Sequence, residues 1–436
     1  YLSHIFGGNS YSDSGPVVQS LKTIILSQAC ENIYSNAFYN CSEIKKVLIR
    51  SNNIKLQSCF AGCASLSTVE IEEGVTTIIA SAFNGCSMEG DYIIHGGLLS
   101  IGQNAFANCN NANVNFYGTL EEWLSISGKA GMPASLHLYL GDSSETKTIT
   151  FPDGTTSISD YGLNGASITT VIIPEGVTSI GDYAFANCLN LSSITLPNSL
   201  VSIGERAFSG CASLESVSFG SNLESIGDYC FSGCSSMKNI VVPKNVTYIG
   251  ACSFGNCNSL ESLTIPFIGN SKETKTGFGS IFTASYGIPN SLKEVTITGG
   301  TIWADSFLNC NGYFKLYLTD EFGAIERNGF EYCHCVHSVD VGGNIAEIGE
   351  HAFYMSDIRK VSISEGIASI GYEAFRYCDE LKEVNLPSTI NTIEAFAFSG
   401  TGIESISLPS ALTVIDRGVF SNCESLKTIS ITEGIT

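Results

Sequence analysis

The amino-acid sequence predicts a mainly β solenoid with short helical turns, in which one structural unit repeats along the whole chain. The phrase IGDYAFANC, residues 180–188, returns as IGERAFSGC (203–211), IGDYCFSGC (226–234), IGACSFGNC (249–257) and IGYEAFRYC (370–378). Aligned on the central phenylalanine, the copies are 22 or 23 residues apart outside two irregular places. A fixed period of this size is typical of solenoids, because each coil buries its apolar face only against its neighbours. We therefore expect about 16 coils of 22–23 residues.

The central position of the phrase, here called the anchor, is phenylalanine in all but one of these coils. A large apolar residue at a fixed position in every coil predicts a continuous buried column along the solenoid. The anchors are Phe38, Phe60, Phe83, Phe106, Leu163, Phe185, Phe208, Phe231, Phe254, Phe282, Phe307, Phe330, Phe353, Phe375, Phe398 and Phe420.

Each coil begins with a strand. In the coil at residues 191–213, Leu191, Ile194 and Leu196 follow the L-x-x-L-x-L spacing of a leucine-rich repeat. The last two alternate with polar residues, which indicates a half-buried strand. Pro197 ends it, because a residue without an N–H cannot continue a ladder. Stacked copies of this unit predict a right-handed parallel β solenoid, shaped as a curved rod or horseshoe.

The second half of each coil contains turns. The position two residues after the anchor is Gly or Asn in twelve of the sixteen coils, as at Asn187 and Gly210. These residues accept positive φ, so we expect a left-handed turn there. Before the anchor Phe185, Asp182 follows Gly181 and is a good N-cap, which predicts a single helical turn.

The combined pattern LxxIxIPxxVxxIGxxAFxxC resembles the BspA-like leucine-rich repeat family of surface proteins, over nearly the whole chain. Families of this kind are implicated in adhesion to host matrix proteins and to other cells. The resemblance implies a non-enzymatic extracellular module, at the cell surface or secreted, that binds a host or microbial protein or glycan. A passive stalk or spacer of a larger surface protein is the alternative.

Two interruptions divide the chain. Residues 1–116 form a repeat block that starts inside a coil, residues 117–147 form an irregular coil with a short helix and strand, and residues 148–436 form a second block that ends inside a coil. The T-x-x-E sequence from Thr119 to Glu122 predicts a capping box before the helix. This segment is either a plain irregular coil or a hinge or binding bulge.

The second interruption is an expanded coil at residues 267–291, rich in Gly, Ser and Lys. The first residues of the chain match the second half of this coil, and the last residues stop inside a repeat without a polar capping repeat. We therefore expect a fragment of a larger protein. We also expect end-to-end self-association through the uncapped coils.

Twelve of the 17 cysteines lie three residues after the anchor. The other coils hold Ala166, Ser285, Ser356 or Thr401 there, so the position favours small residues, and a buried thiol is a small apolar filler. Equivalent Cβ atoms of stacked coils stay about 4.8 Å apart, whereas a disulfide brings them to about 3.8 Å. We expect free thiols, with ladder disulfides as the alternative.

The best metal candidate is CHCVH, Cys333 to His337. Zinc needs four converging ligands, and Cys333 belongs to the cysteine column while Val336 takes the first core position of the next coil. The sequence therefore predicts no metal site.

Composition and motifs argue against several functions. The net charge is −21 and no basic stretch occurs, which argues against a nucleic-acid partner. No run approaches 18 apolar residues, which argues against direct membrane insertion. GxSxG, HExxH and P-loop motifs are absent, so we expect neither an enzyme nor a cofactor.

Each strand of a concave sheet would present one residue to a partner between two buried residues. The first coils place branched apolar residues there, and the C-terminal coils place small hydroxyl residues. Exposed apolar clusters often mark contact surfaces, although β-branched residues also simply suit strands. The partner would contact this sheet or the 267–291 loop. The predicted contact residues on the sheet are Ile25, Leu48, Glu70, Ile93, Ile172, Val241, Tyr317 and Asp340.

Overall fold

The chain is mostly parallel β with almost no helix and forms a β-solenoid of about 17 turns. The structure, a computed structural model, describes residues 20–431 except 31, 34–36, 52–54, 57, 87–89, 110, 134, 142–143, 284–286 and 343. It divides into two compact units. Unit 1 is Tyr1–Phe151, Ser157–Ile172 and Gly181–Leu191, and unit 2 is Pro152–Thr156, Ile173–Ile180 and Ser192–Thr436.

In its described residues, unit 1 holds one α-helix among short strands. Its elements are β1 (Thr23–Leu26), β2 (Asn32–Ile33), β3 (Lys46–Ile49), β4 (Lys55–Leu56), β5 (Thr68–Ile71), β6 (Thr77–Ile78), β7 (Asp91–His95), β8 (Ser100–Ile101), β9 (Asn113–Gly118), α1 (Leu120–Ser125), β10 (Leu136–Leu140), β11 (Thr148–Thr150), β12 (Ser157–Ile158) and β13 (Thr170–Ile172). The main sheet has six parallel strands in the order β1-β3-β5-β7-β9-β10.

Unit 2 repeats the same plan. Its strands are β14 (Ser179–Ile180), β15 (Ser193–Thr195), β16 (Ser202–Ile203), β17 (Ser216–Ser218), β18 (Ser225–Ile226), β19 (Asn239–Val241), β20 (Tyr248–Ile249), β21 (Ser262–Ile265), β22 (Glu294–Ile297), β23 (Thr301–Ile302), β24 (Phe314–Leu318), β25 (Ala324–Ile325), β26 (Val336–Val341), β27 (Glu347–Ile348), β28 (Lys360–Ile363), β29 (Ser369–Ile370), β30 (Glu383–Asn385), β31 (Thr392–Ile393), β32 (Ser405–Ser407) and β33 (Thr428–Ser430). The main sheet is β19-β21-β22-β24-β26-β28-β30.

Most coils contain two strands, where the sequence predicts one. The second strand has only two residues, as in β16 and β18, and it pairs in parallel with its equivalent in the next coil. Ile203 and Ile226 face each other in this second ladder and are buried. Most coils therefore bond their backbones to their neighbours along both strands.

The anchor column fills the core, as the repeat predicts. Phe330, Phe353 and Phe375 stack at centroid distances of 4.5 and 4.9 Å with nearly parallel rings. All three are at most 1% exposed. In unit 1, Phe38 and Phe60 continue the same arrangement at 5.1 Å. The column therefore buries large rings at the spacing of the strands.

All 17 cysteines are free thiols. The twelve that lie three residues after an anchor are here called the ladder cysteines, and most of them donate a hydrogen bond to the preceding coil. Cys86 Sγ lies 3.1 Å from the carbonyl oxygen of Phe60, the anchor of the preceding coil, and Cys109 Sγ lies 3.1 Å from that of Phe83. Burial raises the pKa of Cys257 to about 12, so this thiol stays a protonated donor. The same contact is made by Cys63, Cys188, Cys234, Cys257, Cys378 and Cys423.

The left-handed turn two residues after the anchor is confirmed. Every described residue at this position has positive φ, including Tyr332 (52°), Met355 (53°) and Tyr377 (59°), which are neither Gly nor Asn. The helical turn predicted from Asp182 is wrong. The next residue, Tyr183, has φ 56°, and a left-handed residue interrupts a right-handed helix.

The irregular segment contains the predicted helix. Helix α1 begins after Thr119, whose hydroxyl accepts from the N–H of Glu122 at 3.1 Å, while the Glu122 carboxylate accepts from the N–H of Thr119 at 2.8 Å. The capping box is therefore confirmed. At the other end, buried Lys129 donates to three carbonyl oxygens, those of Trp123, Leu124 and Ile126, although burial lowers its pKa to about 8.

Candidate binding surface

Four of the predicted contact residues lie side by side on the main sheet of unit 1. Ile25 faces Leu48, Leu48 faces Glu70, and Glu70 faces Ile93 across β1, β3, β5 and β7. We call this line of residues, continued by Asn115 and His137, the outward row. The parallel register explains the alignment, because equivalent residues of stacked coils stand one above the other.

Leu48 is not available to a partner as predicted. It is 9% exposed, whereas Ile25 is 56% exposed. Ile25 and Glu70 flank Leu48 on the two neighbouring strands. Lys46, on the same face of β3, extends to Glu70 with Nζ 3.5 Å from Oε2. These side chains cover the leucine, so alternation along the strand overstates its exposure.

The other predicted residues lie elsewhere. Ile172 belongs to the two-stranded sheet β11-β13 of unit 1 and is 52% exposed. Val241 is 63% exposed on β19 in unit 2. Tyr317 and Asp340 face each other on β24 and β26. The sequence-predicted set is therefore distributed over three sheets.

Tyr317 and Asp340 take part in a polar cluster. Lys315 Nζ lies 2.7 Å from Asp340 Oδ2 and 4.2 Å from the centroid of the Tyr317 ring. The Tyr317 hydroxyl donates to Glu294 Oε1 at 3.3 Å. The hydrogen bond and charge of Asp340 raise the pKa of Lys315 against the lowering effect of burial. These side chains already satisfy one another.

A second line of outward residues in unit 1 is aromatic, and sequence reasoning missed it. His95, Tyr117 and Tyr139 occupy consecutive positions on β7, β9 and β10, two residues beyond the outward row. Tyr117 stacks on Tyr139 at 4.4 Å and on His95 at 5.5 Å. These three strands have five or six residues, so each exposes a second side chain. The sequence signal that could have revealed this line is the longer alternation of outward and inward residues in NVNFYG and LHLYL.

The outward row ends at an ionic cluster around Glu145. Its carboxylate lies 2.6 Å from His137 Nδ1 and 2.7 Å from Lys147 Nζ, and it also accepts from the hydroxyl of Ser167. Burial opposes ionisation of Glu145, but these three partners lower its pKa to about 2. The carboxylate therefore ties β10 to the coil that follows.

The expanded coil lies against the solenoid and presents a polar tip. Ile249 N donates to Asn270 O at 2.9 Å, and the Asn270 amide donates back to Ile249 O at 2.7 Å. Phe267 and Ile268 are fully buried. Residues 272–275 are exposed. Part of the predicted 267–291 loop, residues 284–286, lies outside the described residues.

The anchor position of the expanded coil is shared by two residues. Phe254 N donates to Ile281 O, which sets Phe282 beside Phe254, while Phe278 N donates to Ser306 O. The ring of Phe278, at the start of a 3-10 helix, contacts those of Phe282 and Phe307 at 5.3 and 5.5 Å. The insertion thus adds a ring without breaking the column.

Aromatic and arginine side chains pack against one another on the surface of unit 2, away from its strands. The guanidinium of Arg376 lies over the rings of Tyr377 and Phe396, at 4.7 and 5.3 Å, and Arg417 covers Phe396 at 5.2 Å. Tyr372 and Tyr377 are 37% and 39% exposed. Sequence reasoning missed this group because its members lie in turns rather than strands.

The CHCVH segment is not arranged around a metal. His334 pairs with Asp357 at 3.0 Å, and the His337 ring packs on Tyr313 at 4.3 Å. Among the residues that the structure describes, no three His, Cys, Asp or Glu side chains converge as metal ligands would. In the same part of the chain, no helix has the length and apolar character that crossing a membrane requires.

Comparison with known proteins places the repeat in a family. The model of the BspA type leucine rich repeat region matches residues 17–125, 141–175, 156–280, 270–380 and 346–436. A comparison with curated proteins found no match.

Two solved structures are similar to this chain. A leucine-rich repeat protein from Bacteroides ovatus is 22% identical over 95% of this chain and 88% of its own, with a TM-score of 0.40. A leucine rich cell surface protein from Faecalibacterium prausnitzii is 20% identical over 94% and 87%, with a TM-score of 0.26. The family match, which spans most of the chain, shows that it belongs to the BspA-type leucine-rich repeat family.

Proposed function

We propose that the chain is a non-enzymatic recognition module, extracellular and either secreted or held at a cell surface. It binds a host or microbial protein or glycan. Membership of a leucine-rich repeat family supports a binding role, and one similar structure is named a cell surface protein. The observation that carries the proposal is the outward face of the six-stranded sheet in unit 1.

This face combines apolar and aromatic groups on one rigid support. Ile25 is 56% exposed and stands on the same row as Ile93. His95, two residues after Ile93, therefore points to the same side, and it begins the stack with Tyr117 and Tyr139. Aromatic residues are enriched in the buried centres of protein interfaces, where they supply contact area at low entropy cost. The exposed tip at 272–275 is the second contact.

The binding test compares wild type with Ile25→Asp and Tyr117→Ala on a panel of purified extracellular-matrix proteins and a glycan array. We expect wild type to bind at least one probe and each variant to lose at least tenfold in affinity, the loss of about 1.4 kcal/mol that corresponds to a factor of ten. Leu99→Asp is the matched control, because Leu99 is 58% exposed in unit 1 but lies off the row. It should bind as wild type does.

A spacer role makes the opposite prediction. If wild type binds no probe, or if Ile25→Asp and Leu99→Asp behave alike, the sheet face is not a recognition surface. Circular dichroism of each variant separates loss of binding from loss of fold. Replacing Lys272 and Lys275 by Ser tests the loop separately, since both side chains are exposed.

A further inference from the structure

Two cysteines of the CHCVH segment contact each other in a way that the cysteine ladder does not. Cys333 Sγ and Cys335 Sγ are 3.7 Å apart, and the two residues are 1% and 0% exposed. Ladder cysteines such as Cys86 contact a backbone carbonyl of the preceding coil. Cys335 is thus an additional thiol inside the core, placed next to a member of the ladder.

A bulge in the sheet accompanies this contact. Phe314 faces Val336 but Lys315 faces Ser338, so His337 is an extra residue in β26. Bulges redirect side chains and are often found beside functional positions. Phe314 N donates to the carbonyl oxygen of Cys335 at 3.1 Å, which fixes the backbone beside the thiol pair.

The two thiols differ in acidity. Burial raises the pKa of Cys333, but the thiol of Cys335 and the backbone N–H groups of Cys335 and Val336 outweigh burial, so this pKa lies below its ordinary value. Hydrogen bonding to Cys310 and Cys333, together with burial, raises the pKa of Cys335. Thiol–disulfide exchange uses two neighbouring thiols of unequal acidity, one that attacks first and one that resolves the mixed disulfide.

We propose that Cys333 and Cys335 form an oxidisable dithiol whose co-substrate is a small-molecule disulfide of the glutathione type. The Cys333 thiolate attacks one sulfur of the disulfide, forms a mixed disulfide and releases the first glutathione thiolate. Cys335 then loses its proton and attacks Sγ of Cys333, so that the Cys333–Cys335 bond forms and the second glutathione leaves. The two protein protons pass to the two glutathione thiolates, and the disulfide is reduced by two electrons.

Burial sets the rate of this reaction. Because both residues are almost completely covered, the oxidant reaches them only when this coil opens locally, and such openings are rarer in the core than at termini. The reaction on the folded chain is therefore slow and depends on temperature more steeply than oxidation of an exposed thiol.

The test incubates the folded chain with oxidised glutathione, then denatures it and alkylates it without reductant. Of the 17 cysteines, we expect all but Cys333 and Cys335 to be alkylated, with the peptide carrying both lighter by two hydrogens. In Cys335→Ser no second thiol can release the mixed disulfide, so glutathione should stay on Cys333 while every other remaining cysteine is alkylated. Cys86→Ser, a ladder thiol that is equally buried, should leave the pair able to form.

Three results with wild type would overturn the proposal: alkylation of all 17 cysteines, a disulfide joining Cys335 to Cys310, or glutathione stably attached to Cys333. Circular dichroism of Cys335→Ser and of Cys335→Ala checks that the variants fold. If neither folds, the peptide map of wild type alone still decides the outcome.

Discussion

At the scale of single residues, two left-handed positions bend most of the described coils around their anchors. The positive φ of the residue two positions after the anchor was predictable, because this residue is Gly or Asn in most coils, as at Asn187 and Gly210, and both tolerate positive φ. The position two residues before the anchor was not predictable. It holds Tyr183, Arg206 and Glu373, with φ of 56°, 52° and 53°, and such residues pay about 1–2 kcal/mol in this conformation. Backbone hydrogen bonds between neighbouring coils impose this conformation. The residue type alone therefore does not predict it.

Met355 gives a direct test of this strain. It has φ 53° and is 41% exposed, in the position that twelve other coils fill with Gly or Asn. We expect Met355→Asn to stabilise the fold by up to about 1 kcal/mol, because Asn tolerates the left-handed region better. Urea unfolding measures the change. Met355→Val, which is β-branched, should destabilise, and a stabilising Val would contradict the argument.

The Glu145 carboxylate makes stability depend on pH. Its folded-state pKa of about 2 lies below the ordinary value of 4.5, so its contribution is present above about pH 4.5 and disappears as the pH falls through about 2. Because the side chain is 24% exposed, we expect about 1–2 kcal/mol after solvent screening. Urea unfolding of wild type and Glu145→Gln at about pH 6 and about pH 3 measures it. Equal pH sensitivity in both proteins would contradict the assignment.

At the scale of elements, strand positions followed from alternation, whereas side-chain exposure did not. Ile25 and Leu48 occupy equivalent positions in the sequence pattern, yet only Ile25 is exposed, because Lys46 and Glu70 close over Leu48. The aromatic stack of Tyr117 and Tyr139 was also visible only in the structure, because it depends on the greater length of β9 and β10, six and five residues, and on their register. Alternation along a strand predicts which side chains point outward, but the side chains of neighbouring strands decide how far each one is exposed.

Helix α1 shows a case in which a local motif was sufficient. Replacing Thr119 by Ala removes the hydroxyl that caps Glu122 N, and we expect a loss of about 1 kcal/mol in the free energy of unfolding. Thr119→Ser keeps the capping oxygen and should cost only a few tenths of this. Thermal unfolding followed by circular dichroism measures both. Similar losses for Ala and Ser would show that the hydroxyl does not stabilise the helix.

At the scale of the whole molecule, the last strand of the described residues, β33, has one unpaired edge. Within the described residues, β33 pairs only with β32, and Ile429 and Ile431 are 37% and 57% exposed. An open strand edge is a template for another chain. We therefore expect chain 1–436 to self-associate as its concentration rises. Light scattering measures this, and Ile431→Lys should reduce it because a charge at an edge opposes pairing. A monomer at every concentration would contradict the prediction.

The direction of the thiol hydrogen bonds has a consequence for biosynthesis. Most ladder cysteines, such as Cys63 and Cys86, donate to a carbonyl group that the ribosome made about 25 residues earlier. A nascent coil therefore meets an acceptor that has already left the exit tunnel, and repeat arrays grow by adding units to a structured neighbour. The core can therefore form in the direction of synthesis, from the N-terminus onward, as each new coil packs on the coil before it.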